Sequence, residues 1–164
     1  AVPHRNKYGT RPGKISRVIL HMWAGTGGGD TWLARPDVRA STNYFVYSDG
    51  GIAVQVPEKY RAWTSGGASA DNPSITIETQ NSTMGPAWEV SDKALDAIAR
   101  LLADVARRHG WGSVTPDRLR GHREFQSTNC PGPYLWARMG YLRDEANKIL
   151  RGESAPSPTP TPAP

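Results

Sequence analysis

An α/β or α+β fold, a β-sheet covered by helices, is what this sequence predicts, on three observations. Short strand-like segments recur through its first half, and a Gly-rich turn joins two of them. Two long stretches in its second half carry apolar residues at helical spacing.

The elements follow in chain order. Residues 17–21 place Val18, Ile19 and Leu20 in an apolar run that ends on His21, the pattern of a buried strand. Residues 43–47 and 52–56 flank Ser48, Asp49, Gly50 and Gly51, a turn of the kind that closes a β-hairpin. Asn72 and Pro73 punctuate the chain before residues 74–78, which alternate strictly. Ile75 and Ile77 share one face there, and Ser74, Thr76 and Glu78 share the other. Ser91 is the expected N-cap of a helix reaching His109, with Gly110 as its stop. Leu95, Ile98, Leu102 and Val105 form its apolar stripe. A second helix is expected after Pro133, with Leu135, Met139, Leu142, Ala146 and Ile149 on one face. Two irregular stretches, 25–39 and 112–133, are long for a compact domain and invite a functional reading.

At 164 residues, with 37% hydrophobic and 21% charged, the chain is one soluble domain's length. No stretch approaches the roughly 20 apolar residues of a membrane span, so a membrane partner is not expected. The net charge of +5 favours polyanionic partners, although a solvated basic face explains it equally well. No long Lys/Arg run, RRM-type aromatic signature or zinc-finger spacing points to nucleic acid, which is set aside. From Pro156 onward every second residue is proline, so residues 153–164 read as an extended linker and 1–152 as the globular domain. The chain opens at Ala1 without a basic-then-apolar leader of secretory type.

The single cysteine, Cys130, excludes an internal disulfide and leaves three roles: buried hydrophobe, metal ligand or nucleophile. Of four histidines, His4 lies near the N-terminus, where fraying is expected, and His109 suits the negative end of its helix. His21 closes a strand, where ligand sites gather. His122 precedes Cys130 by eight residues in an irregular segment. Two imidazoles and a thiol are the parts of a zinc site with an open fourth position, but the spacing alone leaves inert buried residues as an alternative.

Several segments occur in a telling order. They are Val18-Ile19-Leu20-His21, Asn43-Tyr44-Phe45-Val46 with Asp49-Gly50, Arg61-Ala62-Trp63, Ser74-Ile75-Thr76-Ile77-Glu78, Gly121-His122-Arg123-Glu124 and Asn129-Cys130-Pro131-Gly132. Together, over about residues 14–150, the set resembles the type 2 N-acetylmuramoyl-L-alanine amidases, the family of phage lysozyme-amidases and peptidoglycan recognition proteins. The resemblance implies a central mixed β-sheet flanked by helices, with a zinc cleft on one sheet face. It implies Zn²⁺ held by His21, His122 and Cys130, with Glu78 acting on the water. The strand parity derived above places Glu78 opposite Ile75 and Ile77, as a cleft residue should be.

Three positions depart from the pattern. Thr128 stands where many members carry lysine, so its hydroxyl would donate to a developing oxyanion without a cation's charge. Thr42 replaces a common tyrosine, which makes Tyr44, on the same strand face, a candidate to reach the cleft. Thr64 follows Trp63 where histidine is common. Asn43 and Trp63 are candidate substrate contacts.

The implied reaction is hydrolysis of the amide between N-acetylmuramic acid and the L-alanine of the stem peptide. The setting is a phage endolysin or a bacterial autolysin, and the lone thiol, the lack of an export signal and the Pro/Thr tail favour the amidase domain of a modular phage endolysin. It would be made in the host cytoplasm, released to the cell wall at lysis, and tethered to a wall-binding or second lytic domain. The chain is expected to act as a monomer. Two other readings compete: a module that binds peptidoglycan without cutting it, and a cysteine hydrolase with Cys130 as nucleophile. Pro131 and Gly132 directly after the thiol suit the last poorly.

Overall fold

The computed structural model describes residues 7–153; His4 and residues 154–164 of the expected linker lie outside them. In chain order the elements are β1 (Tyr8–Thr10), β2 (Arg17–Met22), α1 (Gly29–Leu33), β3 (Tyr44–Val46), β4 (Ile52–Val54), β5 (Tyr60–Ala62), α2 (Ala68–Asp71) and β6 (Ser74–Thr79). They continue with α3 (Asp92–Arg108), β7 (Leu119–Gly121), a single 3₁₀ turn (His122–Glu124), α4 (Gly132–Trp136) and α5 (Met139–Leu150). A five-stranded sheet runs in the order β4-β3-β6-β2-β7, and β1 pairs with β5 in a separate ribbon. β3, β6, β2 and β7 are mutually parallel, and only the hairpin partner β4 is antiparallel. The sheet is therefore mixed, as expected.

Register fixes what each face carries. Val18 lies beside Ile75 and Leu20 beside Ile77, so these four share a face. That face packs on α3 through Leu95, Ile98, Leu102 and Val105, with Leu142 and Ala146 of α5 completing the core. On the opposite face His21 lies beside Glu78, and Glu78 beside Phe45. A smaller apolar cluster of Leu33, Val38 and Phe45 covers the β3 end of that face and leaves the β2 end to polar groups.

α3 begins and ends where its sequence signals stand. The Ser91 hydroxyl accepts the Ala94 N–H at 3.1 Å, and Gly110 takes a left-handed φ of 69° just beyond the helix. The second expected helix is broken in two. Arg138 N–H bonds the Leu135 carbonyl three residues back, and its guanidinium lies on the Tyr134 ring, turning the chain between α4 and α5. Residues 112–133 are not wholly irregular, since β7 lies within them.

Arg11 locks the ribbon to the sheet. Its guanidinium donates to the carbonyls of Glu58, Tyr60, Asp71, Asn72 and Ser74, joining β5, α2 and β6 through one side chain.

Tyr44 does not reach the cleft. It pairs with Ile77 in register and so occupies the α3 face, where its hydroxyl donates to Glu58. The same carboxylate takes a two-pronged pair from Arg108 at 2.7 and 2.8 Å, and His109 Nε2 lies 3.1 Å away. His109 thus caps α3, as expected, and also bonds Glu58. Burial alone would raise the Glu58 carboxyl. The hydrogen bonds from Arg108, Tyr44 and His109 outweigh it and hold the group at about 2.

Folded Glu58 therefore binds its proton less tightly than the unfolded chain does. Its stabilisation is complete above the ordinary carboxyl range and is lost as pH falls through about 4 toward 2. Glu58→Gln is expected to cost on the order of 3 kcal/mol at pH 7 and to flatten the acid side of the stability profile. Urea denaturation from pH 2 to pH 7 checks it. An acid slope as steep in the variant as in the parent contradicts the assignment.

Candidate metal centre

The three metal-ligand candidates arrive from two places on the sheet and are brought together by pairing. His21 is the fifth residue of β2 and is 1% exposed. β7 lies beside β2 with Gly121 opposite Leu20, so His122, the next residue, emerges alongside His21. The two imidazole rings lie 4.4 Å apart between centroids, tilted by 46°. Cys130 returns on the following turn. Arg123 N–H bonds the Cys130 carbonyl at 2.9 Å, and Gly132 N–H bonds the Asn129 carbonyl at 2.7 Å. Gly132 has a φ of 86°, and a Cβ there would sit 2.6 Å from Met22 Sδ, so only glycine lets this turn lie against β2.

One ligand atom from each of His21, His122 and Cys130 falls within 4.8 Å of the others. Cys130 Sγ lies 3.5 Å from His21 Nδ1. The far nitrogens are both engaged: His21 Nε2 with Ser65 Oγ at 3.0 Å, and His122 Nε2 with Gln126 Oε1 at 2.7 Å. Each ring therefore keeps Nδ1 for a metal. Two imidazoles and a thiol converging in this way fit a borderline-soft divalent ion.

The electrostatics of the cluster fit a cation as well. Burial pushes the Glu78 carboxyl up to about 8. Glu78 Oε2 is shut off from solvent and has no hydrogen-bond partner among the described residues. Burial, reinforced by the Glu78 charge, pushes the Cys130 thiol up to about 12, against the pull of the Met22 N–H and Arg123. A thiol so placed stays protonated at neutral pH without a cation. That is the reverse of what a cysteine nucleophile needs. His21 is likewise held well below its ordinary value, by burial and then by the neighbouring His122.

The other sequence-derived candidates fare unevenly. Thr128 is exposed, and its hydroxyl oxygen accepts the Cys130 N–H at 3.2 Å, which leaves its own O–H to donate elsewhere. Asn43 has no exposed surface. Its carboxamide accepts the Thr76 N–H and donates to the Val56 and Tyr60 carbonyls. It cross-links β6 to the hairpin and has no route to a substrate, which corrects its reading as a contact. Tyr44 is corrected for the reason given above, its position on the α3 face. Trp63 is half-buried, its backbone is held by Ser41, and its indole Nε1 is buried without a partner among the described residues. Ser65 and Gln126 carried no signal in the sequence. They lie in polar loops, and only the fold brings them to the rings.

The sequence model of a family described as N-acetylmuramoyl-L-alanine amidase matches residues 11–133. No curated protein matches the chain in sequence. Among solved structures, the fold is similar to that of a mutant endolysin from Bacillus subtilis, at 20% identity and a TM-score of 0.69, covering 89% of this chain and 98% of that one. It is similar also to a selenomethionine derivative of AmpD, at 23% identity and a TM-score of 0.66, covering 85% and 91%. A third is the N-acetylmuramoyl-L-alanine amidase LysC from Clostridium intestinale, at 13% identity and a TM-score of 0.60, covering 94% and 99%. At these identities the structures establish a common fold, while the sequence match spans most of the chain. This chain belongs to the N-acetylmuramoyl-L-alanine amidase family.

Proposed function

We propose that the chain is a zinc-dependent hydrolase of the amide bond between N-acetylmuramic acid and L-alanine in peptidoglycan. The observation that carries this reading is the convergence of His21, His122 and Cys130 beside Glu78, whose shielded Oε2 has no partner among the described residues, in a chain of this family.

His21, His122 and Cys130 would hold the ion. When bound, Zn²⁺ supplies Lewis acidity. Glu78 takes a proton from the attacking water at its carboxyl and returns it to the departing amine. Its shielded carboxyl suits both tasks, because desolvation raises its proton affinity toward neutral pH. Thr128 donates its O–H to the carbonyl oxygen as negative charge develops there. A neutral hydroxyl gives less than a cation would. Trp63 remains a candidate contact for the substrate.

The same reading assigns residues 1–152 to the catalytic domain and 153–164 to a linker toward a wall-binding or second lytic domain. The protein acts at the cell wall, as the family implies. No helix among the described residues is long and apolar enough to cross a membrane. Against a cysteine hydrolase stands burial around Cys130, which pushes its thiol up and away from the thiolate a nucleophile needs. Against a binding-only module stand the full set of three ligand side chains and the carboxyl beside them.

Release of free amine from purified peptidoglycan tests the reading. Activity is expected to disappear with a chelator and return with added Zn²⁺. Cleavage that survives the chelator but is blocked by a thiol alkylator would establish the cysteine hydrolase, and binding without cleavage would establish the module. Glu78→Ala is expected to retain zinc at one ion per chain and to lose about 10²- to 10⁴-fold in turnover. A variant as active as the parent removes Glu78 from the chemistry.

A further inference from the structure

The two histidine rings take their outer hydrogen bonds from a single small assembly. His21 belongs to β2 and His122 follows β7, yet both rings are met on their Nε2 side by residues that lean on the loop 64–66, just after β5. We infer that Ser65 and Gln126 are positioning residues that hold the two imidazoles in the protonation form and orientation a metal requires, with Gly66 and Asp71 fixing them in place. The inference rests on the metal reading proposed above.

A neutral imidazole that offers Nδ1 to a metal carries its hydrogen on Nε2, and a buried N–H needs an acceptor. His21 is 1% exposed, and the acceptor within reach is Ser65 Oγ at 3.0 Å, itself on a residue only 3% exposed. For His122 the partner is the carboxamide oxygen of Gln126 at 2.7 Å. A carboxamide oxygen only accepts, so this bond places the hydrogen on Nε2 and the lone pair on Nδ1. Gln126 thus fixes the choice at His122 from outside the ligand set, and the Ser65 hydroxyl, free to accept, supports the same form at His21.

The assembly is itself held rigidly. The Ser65 N–H lies 3.1 Å from each carboxylate oxygen of Asp71, and the Thr64 N–H donates to Asp71 at 3.0 Å. Asp71 is 2% exposed and ends α2, so it anchors the loop from within. Gly66 follows in a left-handed conformation, φ 83°. A Cβ at Gly66 would lie 2.7 Å from Gln126 Oε1 and 2.8 Å from its Nε2, so the carboxamide rests directly on the glycine. One loop therefore sets the Ser65 hydroxyl and the Gln126 carboxamide together.

A role confined to folding and a role toward the metal are separable, because Gln126 is exposed and its truncation removes little packing. Zinc affinity is measured by competition with a chromophoric chelator on the whole chain, well below the melting temperature of each metal-free variant. Ser65→Ala and Gln126→Ala are each expected to bind zinc about 10- to 100-fold more weakly than the parent. Gln126→Glu, which keeps an acceptor at the ring, is expected to retain parental affinity. The melting temperature of metal-free Gln126→Ala is expected to equal the parent's.

Affinities of both alanine variants within about twofold of the parent overturn the inference, since the outer bonds would then contribute nothing. Weakening in Gln126→Glu equal to that in Gln126→Ala overturns it too. A parent that binds no zinc overturns the metal reading itself, an outcome distinct from either.

Discussion

The parallel pairing of β2 with both β6 and β7 is the constraint on which the rest depends. One register sets Val18 and Leu20 beside Ile75 and Ile77, facing α3, and in the same stroke sets His21 beside Glu78 on the other face. The pairing of Leu20 with Gly121 then delivers His122 next to His21. Because side chains alternate, a slip of one residue would turn His21 and Glu78 into the apolar core and expel the isoleucines. The stripe of α3 therefore secures the register, and the register secures the site.

Two half-buried glutamates show how environment decides use. Glu58 is met by Arg108, Tyr44 and His109, and its charge is satisfied within the fold. Glu78 lies between His21 and Phe45 in the sheet, with one oxygen unpartnered among the described residues and a thiol nearby pushed in the same direction. The first arrangement anchors the β4–β5 connection to the end of α3. The second leaves a shielded carboxyl oxygen unsatisfied, a cost to the fold that the first arrangement does not carry.

What could be read from the sequence was what is local. The alternation of residues 74–78 disclosed which way Glu78 points, and Ser91 and Gly110 marked α3 to the residue, because caps and alternation act over a few positions. β1, β5 and β7 have three residues each, too few for a period to register, and their existence depends on partners far along the chain. Tyr44 was misplaced for a related reason: its face depends on the register with β6, which puts it beside Ile77. Asn43 looked like a contact because it is polar, but in the fold all its polarity is spent on Thr76, Val56 and Tyr60. Cys130 and His122 stood out in the sequence by residue type and by the resemblance, but their convergence depends on the turn through Gly132 that lies against Met22.

The central claim is that His21, His122 and Cys130 are the protein's ligands to one zinc ion. X-ray absorption at the zinc edge, on the zinc-loaded chain, reads that ligand set directly. One sulfur scatterer at about 2.3 Å and two imidazole nitrogens at about 2.0 Å are expected. A spectrum fitted by nitrogen and oxygen alone, with no sulfur, would contradict the claim.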